Sequence, residues 1–290
     1  MMYKLIVPAL LLFIYSSLQA QQFGAYRPNT KWKQINTDTG RIIFTGSATK
    51  EAHRISTIIH QMAANQQLGN QFKKINIVLH NNTTLANGYV GLAPFRSEYY
   101  LVPGGNIFDF GNLPWAEQLA IHEYRHVQQY NNFNKGISKG FGYIFGQQGR
   151  AFANALAIPD WFFEGDAVYA ETVLTPQGRG RMPYFLNGFK SLWKENRNYS
   201  WMKLRNGSLK DLVPNHYPLG FLLVNYGYIK YGHDFWQKAT TDASRFKGFV
   251  YPFQQAVKRH SDVEFKTFRK DALTFYSKET SKGKTEKKAR

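Results

Sequence analysis

Residues 119–130 read LAIHEYRHVQQY and carry two histidines, His122 and His126, four positions apart. The apolar spacing around them predicts a helix from Trp115 to about Asn131. Side chains four apart on a helix lie on one face, with about 5–6 Å between their Cβ atoms, so two imidazoles there can reach one ion. Both histidines fall on the apolar stripe, which predicts that they are buried or line a cleft.

The residue after the first histidine, Glu123, lies next to the same helical face. A carboxylate in the motif His-Glu-x-x-His can take a proton from a metal-bound water. The alternative is a pair of core histidines that hydrogen-bond to their neighbours without a metal. The predicted helix is the context that the metal-binding interpretation needs.

A catalytic zinc usually has three protein ligands and keeps its fourth position for water, so the two histidines need a third ligand. The downstream candidates are carboxylates and imidazoles: Glu164, Asp166, Glu171, His216, His233 and His260. Glu164 is preferred because it lies early in a predicted helix, for which Asp160 is the expected N-cap. Gly165 beside it would let that helix approach a neighbour closely.

At this point the sequence resembles the gluzincin zinc metallopeptidases, the clan of thermolysin and aminopeptidase N. In many of them the third ligand is the Glu of a segment W-x-x-E-G-x-A-x-Y-x-E, and residues 161–171, WFFEGDAVYAE, match every fixed position. The resemblance covers residues 119–171. It implies that His122, His126 and Glu164 bind zinc, and that Glu123 is the general base that activates the bound water against a peptide carbonyl.

Further residues are candidates for supporting roles. Glu171, two helical turns beyond Glu164, can orient a zinc-bound imidazole, and the alternative is an ordinary exposed carboxylate. The resemblance implies a Tyr or His from the helical part as the donor to the oxyanion of the tetrahedral intermediate. Tyr217 is the first choice, with aromatic packing as its alternative; His216 is the second choice, and Tyr226 is also a candidate.

In this clan the substrate backbone pairs with the edge strand beside the motif helix. Two segments can form that strand: NGYVGLAP, residues 87–94, and SEYYLVP, residues 97–103. The chain has no Gly-Ala-Met-Glu-Asn segment, with which aminopeptidases of the clan hold a free amine, so an endopeptidase is favoured. The chain also departs from thermolysin, which has Asp four residues after its third ligand where Val168 stands here.

Strands and helices are separated along the chain. We expect extended segments on both sides of a turn at 38–40 and further strands over 75–103. Between them, the apolar repeat at 55, 58, 59 and 62 predicts a helix in the segment 49–70 that ends near Gly69. Later helices are expected after Asp160, from Pro218 to a stop at Gly232, and from a capping box of Ser261 and Glu264.

These elements predict an α+β fold. Residues 21–131 would form the α/β part with HEYRH, residues 132–275 would form a mainly helical part with Glu164, and the zinc site would lie in the cleft between them.

The first twenty residues have the layout of a secretory signal peptide: Lys4, an apolar run over 5–15, and Ala20 before a polar segment. That run is too short to span a bilayer. We therefore predict an exported protein, periplasmic or secreted, after cleavage near Ala20; an uncleaved N-terminal anchor is the alternative. The chain has no cysteine, so packing must stabilise it without disulfides, and a bound metal can contribute.

The formal net charge is +18, from 37 Lys and Arg against 19 Asp and Glu. Such a charge attracts acidic envelope polymers or a membrane surface, and residues 276–290 form a basic tail that we expect to be disordered. A solvated surface that keeps the protein soluble is the alternative. The sequence has no nucleic-acid-binding motif, so nucleic acid is not an expected partner.

Three functions are compatible with these features. The first is an exported zinc metallopeptidase that acts on peptides or proteins. The second is a gluzincin-like zinc protein, catalytically weak or inactive, that binds acidic envelope polymers. Glu123 argues against it, because a binding module needs no base between its ligands. The third is a metal-free structural domain, which would make both motifs coincidental.

Overall fold

The structure is a computed structural model, and it describes residues 26–65, 73–104 and 113–285. The predicted signal peptide, residues 1–20, and the last five residues of the basic tail lie outside these ranges. The described residues form an α+β fold, with a five-stranded sheet in the N-terminal part and ten α-helices. The predicted fold class is confirmed at this level.

The sheet has the strand order β1-β2-β3-β5-β4. Its strands are β1 (Trp32–Asn36), β2 (Gly40–Thr45), β3 (Ile75–His80), β4 (Gly88–Leu92) and β5 (Phe95–Tyr100). The three central strands are parallel to one another, and β1 and β4 pair antiparallel to them at the two edges. Alternate residues of the central strands are buried, as expected for a sheet that packs a helix on one face.

Helix α1 (Thr49–Asn65) connects β2 to β3 and packs against β2 and α2 (Trp115–Asn132). The predicted end of α1 near Gly69 lies outside the described residues. The remaining helices are α3 (Gly136–Ala157), α4 (Asp160–Leu174), α5 (Asn187–Lys194), α6 (Trp201–Asn206), α7 (His216–Tyr231), α8 (Phe235–Ser244), α9 (Pro252–Ser261) and α10 (Phe265–Thr285). None of the described helices has an apolar stretch long enough to cross a bilayer.

Two apolar clusters stabilise the fold, and α2 lies between them. The sheet core contains Ile42, Ile55, Ile77, Tyr99 and Tyr124, among others. The helical core contains Trp161, Phe162, Leu222, Trp236 and Phe268, among others. Helix α2 packs on the sheet core through Leu119 and Val127 and contacts α4 on another side, so every residue from Gln118 to Gln129 is buried.

The starts of two helices differ from the predicted ones. Asp160 is the first residue of α4, and Pro159 occupies the N-cap position. Helix α7 begins at His216, before Pro218, because the side chain of Asn215 accepts a hydrogen bond from the Tyr217 amide at 3.0 Å. The predicted end of this helix at Gly232 is confirmed.

The predicted capping box of Ser261 and Glu264 is wrong. Ser261 is the last residue of α9, and its hydroxyl donates to the Val257 carbonyl at 2.7 Å instead of capping a following helix. Helix α10 begins at Phe265 and continues to Thr285. Residues 276–285 are therefore helical, where a disordered tail was expected.

Helix α3 was not predicted from the sequence. Five glycines between positions 136 and 149 lower its helix propensity, and Gly146, with φ of 64°, interrupts it. Its stability must come from packing, and it contacts both α8 and β4.

The backbones of helices α4 and α7 are in contact at Gly165 and Gly220. The close approach was expected from Gly165. A Cβ atom on Gly165 would lie 2.1 Å from the carbonyl carbon of Gly220, and one on Gly220 would lie 1.9 Å from the Trp161 carbonyl oxygen. Any side chain at either position must therefore push the two helices apart, and Glu164 would move with α4.

We predict that Gly220→Ala lowers the free energy of unfolding by about 1–3 kcal/mol or more, because the added methyl group overlaps backbone atoms. Chemical denaturation measures this directly. The control is Gly140→Ala, since Gly140 is also helical and a Cβ there would meet nothing within 4 Å. We expect this control to be neutral or stabilising by up to about 1 kcal/mol. Equal stability of the two variants would contradict the close helix contact.

Candidate metal centre

Three side chains from two helices converge at one point. His122 Nε2 on α2 lies 3.1 Å from Glu164 Oε2 on α4 and 3.3 Å from His126 Nε2. His126 Nε2 lies 3.7 Å from the same carboxylate oxygen. These three residues form a group that can hold a metal ion, with their ligand atoms all within 4.8 Å of one another. Of the six candidates for the third ligand, Glu164 is the one that completes the group.

The other ring nitrogen of His122 contacts a carboxylate. Its Nδ1 lies 2.6 Å from Oε1 of Glu171, which is fully buried. Because the carboxylate can only accept, Nδ1 donates to Glu171, and Nε2 is the ring nitrogen that points towards Glu164 and His126. The predicted orienting contact of Glu171 is therefore present, and the alternative of an exposed carboxylate is wrong.

His126 is oriented by an amide in place of a carboxylate. Its Nδ1 lies 2.8 Å from Gln129 Oε1, which can only accept, so Nδ1 donates to the amide and Nε2 of His126 points towards Nε2 of His122. The amide nitrogen of Gln129 donates to Asp166 at 2.8 Å. Asp166 in turn accepts two hydrogen bonds from Arg125, at 2.9 and 3.1 Å. Asp166, a candidate ligand from the sequence, is therefore not part of the converging group. It accepts from Gln129, which in turn contacts His126.

Arg179 is a site residue that the sequence did not reveal. It lies in a 3-10 turn, Arg179–Arg181, and donates to both oxygens of Glu171, at 2.9 and 2.5 Å. Its Nη2 is also 2.8 Å from His122 Nδ1, so two donors share the Glu171 carboxylate. The guanidinium group lies 5.1 Å from the centre of the Tyr217 ring. Nothing in the segment TPQGRGR signals this role, since the contact depends on how the turn folds back on α4.

Burial and charge shift the pKa values of the site residues in opposite directions. Burial and Arg179 lower the pKa of His122, but its hydrogen bonds to Glu164 and Glu171 outweigh them and raise it to about 9. Burial alone would raise the pKa of Glu171. Arg179 and His122 lower this pKa by more than burial raises it, so it falls to about 2. Burial also opposes ionisation of Glu164, but the two histidines hold its pKa well below the usual range. Glu164 and Glu171 are therefore anionic at neutral pH.

Glu123 differs from the other two carboxylates. Burial is the largest effect on it and raises its pKa, although His122 and His126 partly oppose the shift. Its carboxylate faces strand β4, where a Cβ atom on Gly88 would lie 2.8 Å from Glu123 Oε1. A raised pKa brings this carboxylate closer to the range in which a general base works.

The aromatic candidates are only partly in the site. Tyr217 lies in the first turn of α7, with its ring stacked 6.2 Å from that of His122, and burial raises the pKa of its phenol. His216 lies beside it, with the two ring centres 4.7 Å apart. Tyr226 is not a site residue, because it packs against Phe268 in the helical core.

Two further candidates for the third ligand lie elsewhere. His260 contacts Asp242 at 3.1 Å, and His233 packs near Tyr228.

The site opens into a cleft on two sides. A cavity of about 510 Å³ is lined by Gly88, Val90, His126, Glu164 and Tyr217, among others. A second cavity, of about 420 Å³, shares Gly88, His122, Glu123 and Tyr217 with the first and continues towards Arg179 and Tyr184. Strand β4 contributes to both cavities.

Of the two segments that could present an edge strand, only NGYVGLAP does so. It forms β4, which pairs with β5 alone among the described strands. The segment SEYYLVP was the wrong candidate, because it contributes to β5, which is paired on both sides.

Comparison with family models, with curated proteins and with solved structures gives no match.

We predict a graded loss of metal binding in two variants. Glu164→Ala removes one of three ligands and should leave little bound metal after dialysis. Glu171→Gln keeps an acceptor for His122 Nδ1 but removes the charge that Arg179 contacts, so we expect a 10- to 100-fold weaker Kd. Chelator competition and elemental analysis measure both effects. Asp234→Ala, at an exposed carboxylate outside the site, is the control and should bind like wild type. An unchanged Kd in Glu164→Ala would exclude this metal site.

Proposed function

We propose that the protein is a zinc-dependent metallopeptidase of the gluzincin type, exported from the cell, that hydrolyses internal peptide bonds. The observation that carries this proposal is the convergence of His122, His126 and Glu164 beside a buried Glu123, in a cleft bordered by the edge strand β4.

Zinc fits the donor set and its spacing. Nitrogen and carboxylate ligands lie about 2.0–2.2 Å from zinc, so two ligands of a tetrahedral ion are about 3.3–3.6 Å apart. The three separations between the ligand atoms are 3.1, 3.3 and 3.7 Å. Two imidazoles and one carboxylate leave the fourth position to water, as in catalytic zinc sites. A bound zinc would lower the pKa of that water and polarise a substrate carbonyl.

Glu123 supplies the base. It is buried beside both histidines and is not one of the three converging ligands, so its carboxylate is available to take a proton. Gly88 brings strand β4 against this carboxylate without an intervening side chain. A peptide that pairs with the open edge of β4 would therefore pass Glu123 with its backbone, and the carboxylate could then give the proton to the leaving amine.

Tyr217 supplies the donor to the oxyanion. Its phenol is largely buried, and both burial and the neighbouring Glu164 raise its pKa, so it stays protonated at neutral pH. A protonated phenol beside the metal ligands can donate to the oxygen that becomes negative as water adds to the carbonyl. His216, which also lines the cleft, is the second candidate.

The shape of the cleft supports an endopeptidase. Cavities of about 510 and 420 Å³ lie on the two sides of the site and share residues, so a chain can extend in both directions from the metal. An exopeptidase needs a wall or a charged group that stops one end of the substrate.

The test is Glu123→Gln, with zinc content and cleavage of a mixed peptide library measured on the same samples. We expect zinc to be retained and cleavage to fall by at least about 10²- to 10⁴-fold, because an amide cannot accept the proton. Glu117→Gln, the same change on the same helix but outside the metal group, should leave both unchanged.

Other outcomes would decide against a peptidase. Undiminished cleavage in Glu123→Gln would contradict the role of this base. Bound zinc without any cleavage by the wild type would favour the alternative of a zinc protein that binds acidic envelope polymers.

A further inference from the structure

Helix α3 is a hairpin of two short helical arms and not one straight rod. Gly146, with φ of 64° and ψ of −154°, separates residues 136–145 from 147–157. A Cβ atom on Gly149 would lie 2.5 Å from the Phe141 carbonyl oxygen. Residues eight apart on a straight helix are about 12 Å apart along the axis, so the second arm must fold back on the first. We call residues 136–157 the α3 hairpin.

The tip of the α3 hairpin is apolar and exposed. Tyr143, Ile144 and Phe145 are consecutive and have 78%, 73% and 61% of their surface exposed. Phe152 and Leu156, one turn apart on the second arm, are also exposed. A run of large apolar side chains at a protruding turn is unusual for a surface that only contacts water, and it marks an interaction site.

Positively charged side chains without an acidic neighbour line a cavity next to this tip. A cavity of about 230 Å³ is lined by Lys73, Lys139 and Arg150, together with Tyr143 of the tip and no acidic residue. Residues 124–159 contain no Asp or Glu at all. Across the described residues, none of the three cations is in an ion pair, and Nε of Arg150 is buried without a hydrogen-bond partner. The cavity therefore has the chemistry of an anion site.

We propose that the α3 hairpin docks on an anionic membrane surface, with Tyr143, Ile144 and Phe145 at the level of the lipid head groups and Lys73, Lys139 and Arg150 in contact with lipid phosphates. A bilayer surface presents an apolar layer and a layer of phosphates next to each other, which matches the order of the tip and the cavity. Aromatic and aliphatic side chains flanked by Lys and Arg are the composition of interfacial helices. The Nζ atom of Lys139 also lies 5.6 Å from the centre of the Tyr143 ring, so the apolar tip and the positive charge are next to each other.

This docking would determine how far the cleft of the metal site lies from the membrane. Ala151, Asn154 and Ala155 of the second arm line the larger cavity of the metal site. A docked hairpin would therefore hold the cleft close to the lipid surface. If the proposed peptidase function holds, its substrates would be polypeptides at that surface; the docking itself does not depend on catalysis.

The test is co-sedimentation of the protein, recovered from an exporting host, with vesicles of phosphatidylcholine, with and without phosphatidylglycerol. Two triple variants alter the hairpin region: Tyr143→Ser/Ile144→Ser/Phe145→Ser, and Lys73→Gln/Lys139→Gln/Arg150→Gln. We expect the wild type to prefer the phosphatidylglycerol vesicles, and each triple variant to bind them at least about tenfold more weakly. Because Tyr143, Ile144 and Phe145 are exposed, we expect the variant that changes them to fold like the wild type, and circular dichroism checks this.

Two controls match these variants. Leu209→Ser/Leu212→Ser removes apolar surface that is at least as exposed but lies outside the hairpin. Lys284→Gln/Lys287→Gln/Lys288→Gln removes the same charge from the C-terminal tail. We expect both controls, and Glu123→Gln, to bind like wild type. Wild-type binding that is absent, unaffected by the hairpin variants, or lost in the tail variant would overturn the proposal.

Discussion

The burial of polar groups on helix α2 is the constraint on which the rest of the structure depends. Every residue from Gln118 to Gln129 is buried between the two cores, although several carry a charge or a ring nitrogen. A buried polar group without a partner costs about 1–3 kcal/mol, so α2 needs a neighbour that supplies acceptors. Helix α4 does so with Glu164, Asp166 and Glu171, which contact His122, His126 and Arg125 directly or through one amide.

The same constraint fixes the orientation of the two imidazoles. Each imidazole has its Nδ1 fixed by an acceptor, so both rings present Nε2 to one point without a choice of orientation. The contact between Gly165 and Gly220 sets the position of α4, and with it the position of Glu164. Groups that are held in this way lose little freedom when an ion binds, which favours tight and selective binding. Gly88 extends the arrangement to the sheet, because it allows β4 to lie against Glu123.

The converging group could be predicted from the sequence because it depends on local spacing. Histidines four apart on a helix share a face whatever the fold, and the WFFEG segment identified Glu164. The residues behind the group could not be predicted in the same way. Arg179 comes from a turn that folds back on α4, and Gln129, which accepts from His126, was not among the candidate residues. Helix α3 was missed because its glycines disfavour a helix, whereas packing against α8 and β4 stabilises it.

The most direct test of the metal centre is a crystal structure of the protein with zinc, with anomalous data collected on both sides of the zinc absorption edge. We expect a single strong peak about 2.0–2.2 Å from Nε2 of His122, Nε2 of His126 and a carboxylate oxygen of Glu164. Glu123 should lie near the peak without coordinating it. A peak at other residues, or no peak among these three while zinc is present in the crystal, would contradict the metal centre.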